Sequence, residues 1–573
     1  ISLKIIETSD VHGSFFPYDF ANRQPRQGSM ARVSSYVNRQ RKTGNVVLLD
    51  NGDILQGQPT SYFYNYVATN DSNIAANVIN YLKYDAETIG NHDVEPGHAV
   101  YDKWIKEVKC PMIACNVINV KTGKPYVKPY TIMQKEGQKI ALIGLTIANK
   151  TKNASRPNED TLFKDEVSMA QKYIDELKQQ GINKIIVQSH LGYGLEKELA
   201  AKLSGVDVIV GGDSHTLLAD AKLKNYGMTP EGDYPTVLKN KDGDRVCVVQ
   251  AWQYAYVVGQ LKVNFDANGK LETCTGKANV LIGDNFKRTV KDAVALTSTE
   301  LVHIKQDVEN SNALRIVQPD TTALSILEPY KVAKNLLGKE IVARAESNLC
   351  LRRVPGTTKD TSRSSLGDIC NKADFTNQHG GDVQQLVAEA FLQQGKKYFN
   401  ADISIQNGGG VRVDVPQGDI TVEKIYTVLP FKNTLVQLQA TGQEIKSTLE
   451  DAIDAVALNN TGSYPYTGGL KWDVDLTQAK GQRVSNLQVR NADGQYLPLN
   501  VNQTYQVITI NFLADGQDFY TSLKGITGAR RVDVGLDYAE AFLQYVEGMP
   551  GAKGQKVLTR LPVEHYSTQN YKE

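Results

Sequence analysis

Along the first half of the chain, short runs of apolar, often β-branched residues alternate with longer segments whose apolar side chains recur every three or four positions. Leu3–Glu7, Val46–Leu49, Ala86–Ile89, Ile140–Ile143, Lys184–Gln188 and Val206–Val210 predict strands. Met30–Arg41, Ile74–Leu82 and Asp165–Gln180 predict helices, the last with Val167, Ala170, Ile174 and Leu177 at helical spacing. Strands alternating with helices predict a layered α/β domain, in which the loops leaving the strand ends gather the chemistry. The strand-rich segment Val246–Phe265 closes this region. The pattern then changes. Lys287–Gln306 and Ala323–Leu337 read as polar helices interrupted by Pro319 and Pro329, which predicts a helical linker or hinge over 286–340. From 341 onward helices (Gly381–Gln394, Gly442–Ala457) and strands (Ile403–Gln406, Tyr505–Ile510) mix again.

A length of 573 residues predicts two to four domains. With 64 basic and 63 acidic residues, nothing suggests a groove for a nucleic-acid polymer or a membrane-surface patch. No apolar stretch reaches the roughly 18 residues of a transmembrane helix. The chain starts at Ile1 and enters a strand almost at once, which is expected of a mature protein whose leader has been removed. Six cysteines form no Cys-x-x-Cys knuckle. Cys110 and Cys115 are close in sequence, Cys247 and Cys274 could bridge a β region, and Cys350 and Cys370 flank a loop rich in Arg, Thr and Ser. Three disulfides in an oxidising compartment fit the even count; six thiols in a reducing one are the alternative.

Five polar segments each follow one of the strand-like runs: Asp10-Val11-His12, Gly52-Asp53, Gly90-Asn91-His92-Asp93, Ser189-His190 and Gly211-Gly212-Asp213-Ser214-His215. They hold His12, His92, His190 and His215, half of the chain's 8 histidines. Carboxylate and imidazole donors together suit divalent first-row ions. Gly52 lets the backbone turn tightly before Asp53, whose carboxylate could bridge two ions, and Asn91 adds a neutral oxygen donor. Two ions about 3.5–4 Å apart can activate a water and stabilise a leaving oxygen, so the pattern points to metal-assisted phosphate-ester hydrolysis. Taken singly, each segment is more often a capped turn or a loop; their order at successive strand ends is what carries the reading. His98, His303, His379 and His565 match no ligand pattern and are expected in surface or packing roles.

This order of segments resembles the calcineurin-like metallophosphoesterases. With the second half included, nearly the whole chain resembles a two-domain 5′-nucleotidase of the bacterial periplasmic and animal ecto-enzyme family. The resemblance implies an α/β protein with three parts: an N-terminal four-layer α/β/β/α metallophosphoesterase sandwich over 1–285, the helical linker over 286–340, and a C-terminal mixed α/β nucleotide-binding domain over 341–573. It implies that Asp10, His12 and His215 hold one ion, that Asn91, His190 and Asp213 hold a second, and that Asp53 bridges them. His92 would face the phosphate outside the metal shell. An acidic residue three positions on, usually Asp in the family, orients that histidine; here it is Glu95, with Asp93 as a nearby competitor. Zinc is the expected metal, with manganese, cobalt or magnesium as alternatives. Many relatives carry His and then Gln or Asn where this chain has Asp213 and His215, so tighter metal retention and a changed metal preference are expected. The Thr8-Ser9-Asp10 and Asp50-Asn51-Gly52-Asp53 stretches also resemble the 2′,3′-cyclic-nucleotide phosphodiesterase branch, which keeps a 3′-nucleotidase or cyclic phosphodiesterase activity open.

In the second half, Asn407-Gly408-Gly409-Gly410-Val411-Arg412 joins a glycine turn to a guanidinium fork. Leu429-Pro430-Phe431-Lys432-Asn433 and Asn511-Phe512-Leu513 set aromatics beside polar groups. Read alone, the two phenylalanines are more simply core residues. The resemblance implies instead that Phe431 and Phe512 stack a base, Asn433 bonds its edge, Asp518 bonds the ribose, and Asn407 and Arg412 lie on the phosphate side. Gly516-Gln517-Asp518-Phe519-Tyr520 is bulkier than the relatives' version of this loop. Arg352, Arg353 and Arg363 are candidates for a further phosphate-binding arginine. The phenylalanine pair favours the 5′-nucleotidase branch, since the cyclic phosphodiesterase branch tends to use tyrosines.

The expected function is therefore removal of the 5′-phosphate from an AMP-like nucleotide by water activated at a two-metal centre, in a periplasmic or extracellular setting. Cleavage of a pyrophosphate bond in NAD or a UDP-sugar is the alternative, and a nucleotide-binding protein without turnover is disfavoured by the intact segments. The relatives' C-terminal domain rotates about the linker, and the same motion is expected near 330–345.

Overall fold

The computed structural model describes residues 1–573 apart from 21–23, 63, 66–67, 95, 153–157, 289–293, 361–363, 430, 432 and 553. The chain divides into two units, Ile1–Lys334 and Asn335–Glu573.

Two sheets make the frame of the first unit. The parallel part of the seven-stranded sheet runs Ser2–Thr8, Val46–Asp50, Ala86–Thr88, Met112–Ile113. On its other side Ser2–Thr8 pairs antiparallel with Val257–Phe265, which leads to Leu271–Ile282 and then Leu314–Ile316. The six-stranded sheet has a parallel centre of Gln138–Thr146, Ile185–His190, Val208–Gly211 and Arg245–Gln250, with an antiparallel strand at each edge. Leu3, Ile5, Val47 and Leu49 of the first sheet share a core with Ile140, Leu142, Ile186, Val208 and Val249 of the second. Their sequence neighbours Ala141, Ile143, Val187, Ile209 and Val248 face the other way and pack with Met169, Ile174 and Leu177 of helix Glu166–Gln179. A sheet covered on both faces needs apolar residues at every position, which is why these strands read as unbroken apolar runs. Each such valine, leucine, isoleucine or methionine side chain contributes about 1.5–3 kcal/mol on burial. Asp165 caps that helix by accepting from Ser168 N at 2.8 Å. A disulfide between Cys247 and Cys274 ties the six-stranded sheet to the seven-stranded one.

The segment expected as a linker belongs in part to the first unit. Its helix begins at Ser298, where Thr297 and Glu300 form a capping box, and Leu314–Ile316 adds an edge strand to the seven-stranded sheet. Pro329 lies inside helix Thr321–Leu337 instead of interrupting it. An exposed polar helix before a three-residue strand has the composition of a linker, and only the pairing shows otherwise.

The expectation of three disulfides also needs correction. Cys350 pairs with Cys370 in the second unit, but Cys110 and Cys115 are free thiols. Extended backbone around Met112–Ile113 separates the two. At roughly 3.3 Å per residue their Cα atoms are driven well beyond the roughly 4.4–6.8 Å that a disulfide spans.

The second unit is built on a mixed five-stranded sheet, ordered Pro465–Gly468, Ile403–Asn407, Thr504–Ile510, Thr434–Thr441, Arg531–Asp537. Helix Asp382–Phe399 is buried along most of its length, and helix Gly442–Ala457 starts with a capping box of Thr441 and Glu444. Strand Thr568–Lys572 closes a separate four-stranded sheet against Leu470–Asp475.

Candidate metal centre and ligand pocket

Every polar segment singled out in the first half lies at or just past the C-terminal end of a parallel strand. Asp10 and His12 follow Ser2–Thr8, Asp53 follows Val46–Asp50, and Asn91 and His92 follow Ala86–Thr88. His190 ends its strand, and Asp213 and His215 follow Val208–Gly211. The loops are laced by backbone bonds: Asp10 N to Gly52 O (3.1 Å), His12 N to Asp53 O (2.9 Å) and Gly192 N to Gly212 O (2.9 Å). Asp10, His12, Asp53, Asp213 and His215 all adopt left-handed backbone, with φ of 50°, 45°, 59°, 75° and 49°. Such backbone costs a non-glycine residue of order 1–3 kcal/mol, and it clusters where side chains must be aimed at a site.

Donor atoms converge in two groups, one of Asp10, His12 and His215 and one of Asp10, Asp53 and His190. His12 Nε2 and His215 Nε2 are 3.1 Å apart, and His215 Nε2 is 3.4 Å from Asp10 Oδ1. Asp53 Oδ2 lies 3.0 Å from His190 Nε2 and 3.8 Å from His12 Nε2, near a histidine of each group. Asp10 belongs to both groups, a sharing that the expected division of ligands did not include. His190 Nε2 is 3.8 Å from Asp213 Oδ1. Asn91 and His92 are buried beside them; His92 N donates to Asp53 Oδ1 at 2.9 Å, and its ring stands edge-on to His12 at 5.7 Å.

The imidazoles are held from behind. His12 Nδ1 bonds Gln56 O at 3.0 Å, and His190 Nδ1 bonds Asn51 O at 2.5 Å. Donation from Nδ1 to a carbonyl leaves the Nε2 lone pair aimed into the site, the tautomer a metal ligand needs. Burial alone would raise the Asp53 carboxyl, but His190 and His92 hold it well below the usual carboxylate range. Burial would lower His190, but the Asp53 and Asp10 carboxylates raise it well above an ordinary imidazole. A field that draws a proton onto a buried histidine also favours a divalent cation, and mixed carboxylate and imidazole donors suit a first-row ion. The residues therefore fit a two-metal centre.

The proposed competitor for orienting His92 has another task. Asp93 accepts from Asp53 N and Gly90 N through one oxygen (both 2.8 Å), and from Ile54 N and Leu55 N through the other (3.0 and 3.1 Å). It joins the Asp53 loop to the Asn91–His92 loop. Gly90 is required between them, since a Cβ there would lie 2.1 Å from Asp53 Oδ1. Glu95 lies outside the described residues. The sequence reading also missed Gln56 and Tyr254. The Tyr254 ring stands 5.7 Å from His12 and 5.5 Å from His215, and the Tyr254 backbone N–H donates to Asp10 O at 2.8 Å. No motif spacing marks either one.

The second unit contains a cavity of about 690 Å³ lined by Arg353, Asn407, Arg412, Phe431, Phe512 and Asp518, with Asn433 and the 458–462 turn completing it. Phe431 is 44% and Phe512 39% exposed, which rules out the plain core role that sequence alone favours. The Arg412 guanidinium lies 5.6 Å from the Phe431 ring centre, and Asn407 Nδ2 donates to Asp518 Oδ2 at 2.8 Å. The three candidate arginines separate. Arg352 is buried and donates to Gly356 O and Asn371 O, both at 2.8 Å, so it braces its own loop. Arg353 lines the cavity, and Arg363 lies outside the described residues.

Comparison with known proteins finds matches to both halves of the chain. Residues 3–217 match the calcineurin-like phosphoesterase family model, and residues 354–525 match the 5′-nucleotidase C-terminal domain model. The NAD 5′-nucleotidase of Haemophilus influenzae is 33% identical over 96% of this chain and 91% of that protein. The chain belongs to the two-domain 5′-nucleotidase family. It is a hydrolase of that family with a metallophosphoesterase domain and a mixed α/β C-terminal domain. The human 5′-nucleotidase is 30% identical over 91% of this chain and 84% of its own length. Among solved structures, the Haemophilus influenzae NAD nucleotidase superposes with a TM-score of 0.85 at 29% identity, covering all of both chains. A 5′-nucleotidase precursor from Thermus thermophilus gives 0.55 at 31% identity, covering 98% of this chain and 100% of its own. Among the described residues no helix is long and apolar enough to cross a membrane.

Proposed function

We propose that this hydrolase removes the 5′-phosphate from AMP-like nucleoside monophosphates, giving a nucleoside and inorganic phosphate. The observation that carries the reading is the pair of half-exposed phenylalanines on a cavity that also holds two arginines and the Asn407–Asp518 pair. Phe431 and Phe512 would stack the base, Asn433 would bond its edge, and Asp518 would bond the ribose hydroxyls. Arg412 and Arg353, with Asn407, would take the phosphate side. In the first unit Asp10, His12 and His215 would hold one divalent ion, and His190, Asn91 and Asp213 the other, with Asp53 shared. Zinc is the proposed metal, with manganese, cobalt and magnesium as alternatives. Bound there, the ions supply Lewis acidity and lower the pKa of a coordinated water toward about 7. His92, held through its backbone by Asp53, would stabilise charge developing on the phosphoryl oxygens. The two disulfides fit an oxidising, extracytoplasmic setting.

A second reading, cleavage of the pyrophosphate bond of NAD, is favoured by the likeness to the Haemophilus influenzae protein and by a cavity roomy enough for more than a base and a ribose. Phosphate release from AMP with and without a chelator tests the first reading: release that the chelator abolishes is expected, and no release with any of the four metals overturns it. Chromatography of an NAD digest tests the second, which expects AMP and nicotinamide mononucleotide as first products and is overturned by intact NAD.

A further inference from the structure

One carboxylate of the first unit stands outside the ligand set and yet touches two of its loops. Glu196 sits in the first turn of helix Tyr193–Lys202 and is fully buried. An acidic residue there ordinarily faces water while complementing the helix dipole. Burying it costs several kcal/mol unless its oxygens are fully engaged. They are engaged. Oε1 accepts from Ser189 Oγ (3.0 Å), Leu191 N (3.3 Å) and Gly212 N (3.0 Å). Oε2 accepts from Gln250 Nε2 at 3.3 Å.

Gln250 ends its strand and is equally buried. Its Nε2 also donates to Gly212 O at 3.1 Å. Its Oε1 accepts from Thr216 N at 2.6 Å and Ser214 Oγ at 3.3 Å. The fit leaves no slack, since a Cβ on Gly211 would lie 2.0 Å from Glu196 Oε2. Ser189 and Leu191 flank His190, Gly212 precedes Asp213, and Ser214 and Thr216 flank His215. His190 belongs to one donor group and His215 to the other.

We propose that Glu196 and Gln250 act as one positioning clamp that fixes the His190 loop against the Asp213–His215 loop, so that the two ion sites are set, and lost, together. This rests on the metal reading above. Metal–ligand distances tolerate only about 0.2 Å of error, and loss of an outer-shell partner typically weakens metal binding about 10- to 100-fold. Gln56 bonds His12, of one donor group, through its backbone oxygen at 3.0 Å and its side-chain oxygen at 3.1 Å, and its side chain serves as the contrast.

The experiment is Zn²⁺ binding to the chelator-stripped full-length protein, read by competition with a chromophoric chelator and by counting metal after desalting. Glu196→Ala and Gln250→Ala are expected to weaken both ions in parallel, by about 10- to 100-fold. Glu196→Gln keeps an acceptor oxygen for the three loop donors and should lose less. Gln56→Ala removes the side-chain acceptor but keeps the carbonyl, so it should weaken the ion at His12 slightly and spare the other. Asp165→Ala, which removes a helix cap away from the site, should lower Tm without moving zinc affinity. Wild-type affinity, or loss of one ion only, in Glu196→Ala and Gln250→Ala overturns the clamp. So does an equal loss in Asp165→Ala. If Glu196→Ala does not fold, Gln250→Ala decides alone. Wild-type protein that takes up none of Zn²⁺, Mn²⁺, Co²⁺ and Mg²⁺ overturns the metal reading itself, a result distinguishable from failure of the clamp.

Discussion

Truncating either half-exposed phenylalanine should separate recognition of the nucleoside from the chemistry on its phosphate. At 44% and 39% exposure, Phe431 and Phe512 contribute far less to folding than a core phenylalanine, whose loss costs about 3–5 kcal/mol. A stacked base is worth about 1–3 kcal/mol per aromatic face. At about 1.4 kcal/mol per factor of ten, Phe512→Ala should lower kcat/KM for AMP about 5- to 150-fold, chiefly through KM. Phe431→Ala removes the same face and also the ring beside the Arg412 guanidinium, 5.6 Å from its centre. An exposed pair of that kind is worth about 0.5–1 kcal/mol, which adds a further factor of about 2–5. The assay is phosphate release from AMP and, in parallel, p-nitrophenol release from p-nitrophenyl phosphate, which has no base to stack. Phe431→Ala should fall below Phe512→Ala on AMP, and both should match wild type on the small ester with Tm shifted by only a few degrees. Unchanged AMP kinetics in both variants, or equal losses on both substrates, would refute the stacking assignment.

Arg353→Ala should raise KM for AMP about tenfold, and Arg352→Ala strips donors from buried carbonyls and should cost about 3 kcal/mol in urea unfolding. Thiol titration of the denatured, unreduced protein should find two reactive groups, and the native protein should react slowly because burial pushes the Cys110 thiol up to about 12 and Cys115 higher still. Asp207 is a buried carboxyl that accepts from Ile185 N at 2.8 Å, and burial raises it to about 7 against about 4 in the unfolded chain. Since the folded state holds the proton more tightly, its contribution is full below about pH 4 and is lost as pH rises through about 7, up to about 4 kcal/mol in all. Urea unfolding at pH 5 and pH 8 should therefore show a smaller pH difference in Asp207→Asn than in wild type, and an equal difference would contradict the assignment.

The strands and the residues after them were legible because a sheet buried on both faces leaves unbroken apolar runs, and the polar loops that follow stand out against them. Met30–Arg41, Ile74–Leu82 and Gly442–Ala457 follow directly from periodicity and caps. What periodicity could not carry was partnership across the fold. Leu314–Ile316 is too short to announce itself, and its place at a sheet edge depends on pairing with Val280–Ile282. Cys110 and Cys115 look like a pair until the extended backbone between them is seen. Arg352 and Arg353, neighbours in sequence, differ only in which way their side chains point. Glu196 reads as an ordinary helix-start acid, because nothing in the local sequence shows that the Ser189 and Gly212 loops close over it. The left-handed backbone at Asp10, His12, Asp53, Asp213 and His215 is likewise invisible in the sequence, where glycines such as Gly52 look like the residues built for tight turns.

The central claim is that the strand-end residues of the first unit hold two ions that make a nucleotide phosphate ester labile. The most direct test titrates Zn²⁺ or Mn²⁺ into chelator-stripped protein while phosphate release from AMP is followed. No release before metal is added, and activity that saturates when two ions are bound per chain, is the predicted result. Full release from the stripped protein, or metal uptake that saturates without any release, would contradict the account.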